Sequence, residues 1–136
     1  MKNLTTAVFG KLAGTTLDSS ISGRMFKGRA PTGTPFPFVV YAVISDIPRP
    51  TFTEQYEEVL IQFSLFSSSG STTEIEDMFT NLKAIYDDCA LSITGSSLVW
   101  MRRAGTHFLV EDGPDQSAAE NIWHYIVEYD ILTSLS

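Results

Sequence analysis

A chain of 136 residues that is 43% hydrophobic and 12% aromatic is one domain on the usual scale, long enough to bury a core and too apolar to be disordered. No apolar run approaches the roughly 20 residues of a membrane-spanning helix, and a net charge of −7 argues against sequence-reading contact with a phosphate backbone. The lone Cys89 leaves no internal disulfide, and the apolar stretch after Lys2, broken by Thr5, Thr6, Gly10 and Lys11, makes a poor signal peptide, so cytoplasmic synthesis is the simplest reading.

From the N-terminus, Leu4, Val8 and Leu12 recur at helical spacing over residues 3–17, with Gly10 and Gly14 marking a short, marginal helix. Residues 18–37 are rich in Gly, Pro, Ser and Thr and read as a long loop, with one extended piece at Ile21 to Phe26. Phe36 to Ser45 is almost wholly apolar and β-rich, as in a strand near the middle of a sheet. Pro48 and Pro50 are expected to end it, making Asp46 to Thr53 a turn or arm that leads into an antiparallel partner.

That partner carries the clearest signal in the chain. Val59, Ile61, Phe63 and Leu65 alternate with a mixed set, the period of a strand with one buried face. After a short turn the period changes: Ile75, Met78, Phe79, Leu82, Ile85, Tyr86 and Cys89 form the apolar face of a helix, with Glu76, Asp77, Asn81, Lys83 and Asp87 opposite. Ser71 with Glu74, or Thr73 with Glu76, has the spacing of a capping box. Phe63 and Phe79 are both expected in the core.

Beyond the helix, Leu98 to Arg103 and His107 to Glu111 read as two short strands, or as one strand with a bulge near Gly105, followed by a turn at Asp112 to Asp115. The last element, Glu120 to Leu132, alternates cleanly: Trp123, Tyr125, Val127, Tyr129 and Ile131 face the core, while Ile122, His124, Ile126, Glu128 and Asp130 face solvent, a pore or a subunit contact. The order predicts an α+β fold, a mostly antiparallel β-sheet packed by a central amphipathic helix and a short N-terminal helix, over one domain spanning 1–136.

Catalytic motifs are missing: there is no G-x-S-x-G, no G-x-x-x-x-G-K-[ST] and no G-x-G-x-x-G. His107 and His124 lie in separate strands, without metal-ligand spacing to Glu111, Asp112 or Asp115. The reading is therefore not an enzyme, with no metal and no cofactor. Charge is uneven: residues 1–53 hold six basic and two acidic side chains, and residues 54–136 three basic and fourteen acidic. Such a dipolar subunit suits association with a neighbour through opposite surfaces. Arg24, Lys27 and Arg29 form a basic loop, either a solvated one or a contact, and Arg102-Arg103 ends a strand, one of the pair sharing the side of Leu98 and Trp100. Both arginines are either exposed or interface groups for an acidic neighbour.

The succession PFPFVVY, VLIQFSLFS, IEDMFTNLKAIYDD and WHYIVEYDI resembles that of the tail-terminator or tail-completion (tail-to-head joining) proteins of long-tailed bacteriophages, across nearly the whole chain. The resemblance implies a structural virion protein of the tail neck, made in the host bacterial cytoplasm. It also implies a homo-hexameric ring on the head-proximal end of the tail tube. Its partners would be the tail tube protein and the head-completion or connector protein, with double-stranded DNA passing through unread and no membrane involved. Under it, Arg24, Lys27 and Arg29 are expected at a subunit or tube contact, Arg102 and Arg103 at an interface, and Glu128 and Asp130, or the acidic surface of the central helix, toward the channel. A small α+β binding or regulatory domain is the alternative, as is a neighbouring head-completion component.

Overall fold

The computed structural model describes residues 2–68, 71–112 and 121–135. In chain order these form α1 (Lys2–Gly10), α2 (Thr16–Ser20), β1 (Met25–Lys27), β2 (Phe38–Pro50), β3 (Gln55–Ser67), α3 (Thr73–Tyr86), β4 (Ser96–Asp112) and β5 (Asn121–Leu135). The strands make one sheet in the order β1-β2-β3-β5-β4, antiparallel throughout except for the β1–β2 pair. The fold is α+β, as the element order predicts.

The core lies between one face of this sheet and the helices. Val59, Ile61, Phe63 and Leu65 of β3 and Val127, Tyr129 and Ile131 of β5 are buried against Ile75, Met78, Leu82, Ile85 and Tyr86 of α3. Phe63 sits at the centre, stacked on Tyr86 with ring centroids 4.8 Å apart and edge-on to Tyr129 at 5.7 Å. Two expectations for the helix need correction. Phe79 is only half-buried, on the flank of α3 against Tyr125 and beneath Lys83. Cys89 lies beyond the helix, which ends at Tyr86, with Asp88 at a φ of 51° breaking the spiral. The N-cap is Thr72, whose side chain makes no capping bond, and Glu74 instead accepts a 2.5 Å hydrogen bond from Ser67 Oγ of β3.

The N-terminal segment is two helices rather than one. Gly14, at a φ of 77°, turns the chain, and Thr15 caps α2 by accepting from the Asp18 amide at 3.2 Å. Leu4, Val8, Leu12, Leu17 and Ile21 are all buried on the same side of the sheet as α3. The buried Tyr86 hydroxyl donates to the Val8 carbonyl at 2.7 Å, tying α1 to α3. The expected long loop thus contains most of α2 and all of β1, which lies alongside Val39 to Tyr41.

Pro48 and Pro50 do not end β2, which remains paired with β3 as far as Pro50 opposite Gln55. The reason is topological. β1 covers β2 only at Val39 to Tyr41, so the outer edge of β2 beyond that point is free, and a proline there removes no ladder hydrogen bond. Likewise Leu98 to Glu111 is one strand, with bulges at Val99 and Ala104. The second is the bulge expected near Gly105. The first turns Leu98 and Trp100 to opposite faces, since Leu98 pairs with the core-facing Thr133 and Trp100 with Leu132 on the other side. The alternation of β5 is as the sequence predicts. The turn expected at Asp112 to Asp115 lies, past Asp112, outside the described residues.

Candidate functional site

The three helices of the described residues cover one face of the sheet and leave the other face open. The open face is built by the alternate residues of each strand. Its centre is apolar, with Phe38 stacked on Phe66 at 4.8 Å and Phe66 on His124 at 4.1 Å, flanked by the half-buried Val40, Leu60 and Ile126. Toward β4 it becomes ionic. Asp130 is 3.5 Å from Arg102 and Glu128 is 3.7 Å from His107; on the β2–β3 side Arg49 is 3.1 Å from Glu58. Glu128 and Asp130 therefore share the open face, as their alternation implies, each with a basic partner beside it. Among such exposed pairs each contributes at most about 1 kcal/mol.

Adjacent strand residues point to opposite faces, and Arg102 and Arg103 obey this. Arg102 lies on the open face, its guanidinium 4.3 Å from the Trp100 ring centroid. Arg103 lies on the helix side, 3.5 Å from Asp87 and 5.6 Å from the Phe79 ring. Asp87 in turn accepts a 2.5 Å hydrogen bond from the buried Tyr129 hydroxyl. The two arginines thus serve two surfaces.

The basic loop also divides. Arg24 donates to the carbonyls of Pro37 and Phe36, both at 3.2 Å, clamping the chain just before β2. Lys27 donates to Thr5 Oγ of α1 at 3.0 Å, and Arg29 is exposed. Arg24→Ala should therefore cost about 1–3 kcal/mol, the range for hydrogen bonds to a charged donor, whereas Arg29→Ala should stay within about 0.5 kcal/mol. Urea denaturation of the two variants side by side checks this; equal stabilities would show that the clamp contributes nothing.

A cleft of about 540 Å³ opens at the turn end of the β2–β3 hairpin, lined by Pro48, Arg49, Pro50, Thr51, Tyr56, Glu58, Trp100 and Leu132. Its surface is mostly apolar, and its one carboxylate, Glu58, is paired with Arg49. Among the described residues no three His, Cys, Asp or Glu side chains gather as a metal site. Burial pushes the Cys89 thiol up from its usual value, which suppresses the thiolate. Elsewhere Glu57 is raised by a hydrogen bond shared with Asp46, with burial and the Asp46 charge adding to it. That carboxyl pair was not foreseeable from the sequence, because it depends on the register that places Glu57 opposite Pro48 and Asp46 opposite Val59.

The sequence model for tail completion protein gp17 matches residues 6–134. The chain belongs to the tail completion protein gp17 family. It is a structural component of a phage-type virion, assembled with other tail and head proteins. Among solved structures, a chain from the "Virion of native gene transfer agent (GTA) particle" has the same fold: the TM-score is 0.71 at 11% identity, over 96% of this chain and 94% of that one. Among curated proteins, none matches the sequence. No helix among the described residues is long and apolar enough to cross a membrane.

Proposed function

We propose that this tail completion protein forms a ring at the head-proximal end of the tail tube, ends tube polymerisation there, and presents its other side to the head-completion proteins. The observation that carries the proposal is the family match over nearly the entire chain. The geometry supports it: with helices on one face only, each subunit has two chemically different sides, and its sheet ends in two different edges. A heterologous, ring-closing contact needs unlike surfaces of this kind. In this arrangement the open face is the channel side. Its carboxylates Glu58 and Asp130 are paired with Arg49 and Arg102, and Glu128 lies beside His107, so passing DNA meets no basic track on which to bind.

Incubating the purified protein with tail tubes and imaging by negative stain tests the reading. Rings capping one end of each tube, and tubes that no longer lengthen when tube subunits are added, are the expected result. A protein that stays monomeric with tubes, and leaves their growth unchanged, would sink it.

A further inference from the structure

The sheet ends on one side in β4, whose outer edge has no strand partner among the described residues; its one backbone bond there is at Met101, whose carbonyl accepts from the Asp88 amide at 3.0 Å. Beyond the bulge at Ala104 the stretch from Thr106 to Asp112 is regular, and it holds neither proline nor lysine, the usual guards of an edge strand. Three consecutive residues here, Phe108, Leu109 and Val110, are 44%, 44% and 53% exposed. Successive strand residues face opposite sides, so three apolar neighbours in a row leave apolar surface on both faces, a pattern suited to a strand covered on both sides.

The opposite edge of the sheet holds a matching vacancy. β1 pairs with β2 only at Val39 to Tyr41, and Pro48 closes the far end, leaving the β2 edge from Ala42 to Ile47 without a strand partner among the described residues. Ile44, which forms a bulge in β2 between Val43 and Ser45, and Ile47 in this slot are 51% and 41% exposed. The antiparallel pairings alternate in direction across the order β2-β3-β5-β4, so β2 and β4 run oppositely. Copies placed side by side in one orientation therefore bring β4 of one against β2 of the next as an antiparallel pair.

Resting on the ring reading above, we propose that β4 of each copy adds as a strand to the β2 edge of the next copy, with Phe108 to Val110 against Ile44 and Ile47. The slot, six residues from Ala42 to Ile47, is close in length to the seven-residue stretch of β4. With Leu109 beside Ile44, the end of β4 arrives where the neighbour's β1 stops. The registers put Leu109 level with Phe38 within one copy, through His124 and Phe66, so this docking staggers neighbouring copies by about five residues. Over four strands spaced roughly 4.8 Å apart, such a stagger tilts the strands by about 40°, within the range of closed sheets. Six copies then close a cylinder roughly 50 Å across, with the helices outside and the open face lining it.

The test is thiol cross-linking on tube-capping rings, in a chain with Cys89→Ala. Ile44→Cys with Leu109→Cys in the same chain, joined by a short bis-maleimide, should give a ladder of covalent multimers up to the full ring. Either cysteine alone should give monomer. Dimers from Leu109→Cys alone would overturn the proposal in favour of two-fold β4–β4 pairing. Leu109→Lys should abolish rings while circular dichroism stays that of the folded monomer. Rings of the double-cysteine chain that do not cross-link, together with Leu109→Lys chains that still form rings, overturn the edge pairing and leave the ring intact. If the wild type forms no ring at all, both readings fall.

Discussion

Phe63→Ala should destabilise the fold by about 3–5 kcal/mol, the cost of deleting a fully buried aromatic ring and leaving a cavity. Phe63 has no exposed surface and touches three rings that belong to three elements: Tyr86 of α3, Tyr129 of β5 and Tyr41 of β2, the last at 6.1 Å. None of these can move inward without loosening its own element, so the cavity should persist rather than collapse. Phe79→Ala, which empties only a half-buried site between α3 and Tyr125, should cost about 1–2 kcal/mol, in proportion to the smaller area lost from contact. Urea denaturation with unchanged m-values measures both. Equal losses at the two positions would show that the core is not centred on Phe63. With typical domains stable by about 5–15 kcal/mol, the first substitution removes a large share of the total.

A comparable loss should come from raising the pH. Burial pushes the hydroxyls of Tyr86 and Tyr129 well above the usual value of 10.0, and for Tyr129 the hydrogen bond to Asp87 and the charge of that carboxylate add to the shift. For such groups the folded state holds its proton where the unfolded chain releases it. Their contribution is therefore complete below pH 10 and declines as pH rises toward the folded-state values. Each buried tyrosine removes about 1.4 kcal/mol per pH unit above 10, so the pair should cost on the order of 5 kcal/mol by pH 12. Tyrosinate absorbance should rise together with unfolding, in one cooperative step. Tyr86→Phe and Tyr129→Phe should each flatten the dependence of stability on pH by about one proton. Tyrosinate appearing in a chain that remains fully folded would contradict the argument.

Much of the chain was legible because one physical rule dominated each segment. In β3, α3 and β5 a single face is buried, so the period of the apolar residues reports both the element and the side that faces the core. The α+β class followed from those three segments, and the antiparallel pairing of β2 with β3 from the apolar run Phe36 to Ser45 and the prolines after it. The sequence was misleading where an element's neighbours, rather than its own residues, set the rule. Pro48 and Pro50 would break an inner strand but are harmless on an edge, and only the short reach of β1 makes this stretch of β2 an edge. The bulge at Val99 separates Leu98 from Trp100, a shift that alternation cannot anticipate because it is imposed by pairing with β5.

The same division holds for the candidate site. Composition, the lack of catalytic motifs and the opposed charges of the two parts of the chain pointed to a protein that works by contact, and the family match agrees. Sequence placed Arg24, Lys27 and Arg29 together in one loop. Tertiary structure separated them, because Arg24 is used to hold the Phe36 and Pro37 carbonyls while Arg29 stays exposed. By itself, then, the sequence determined which residues are apolar, at what period, and where charge accumulates, since these are local properties of the chain. Strand order decided which edges remain open and which arginine serves which face, because a backbone edge is free or filled only with respect to segments far away in sequence.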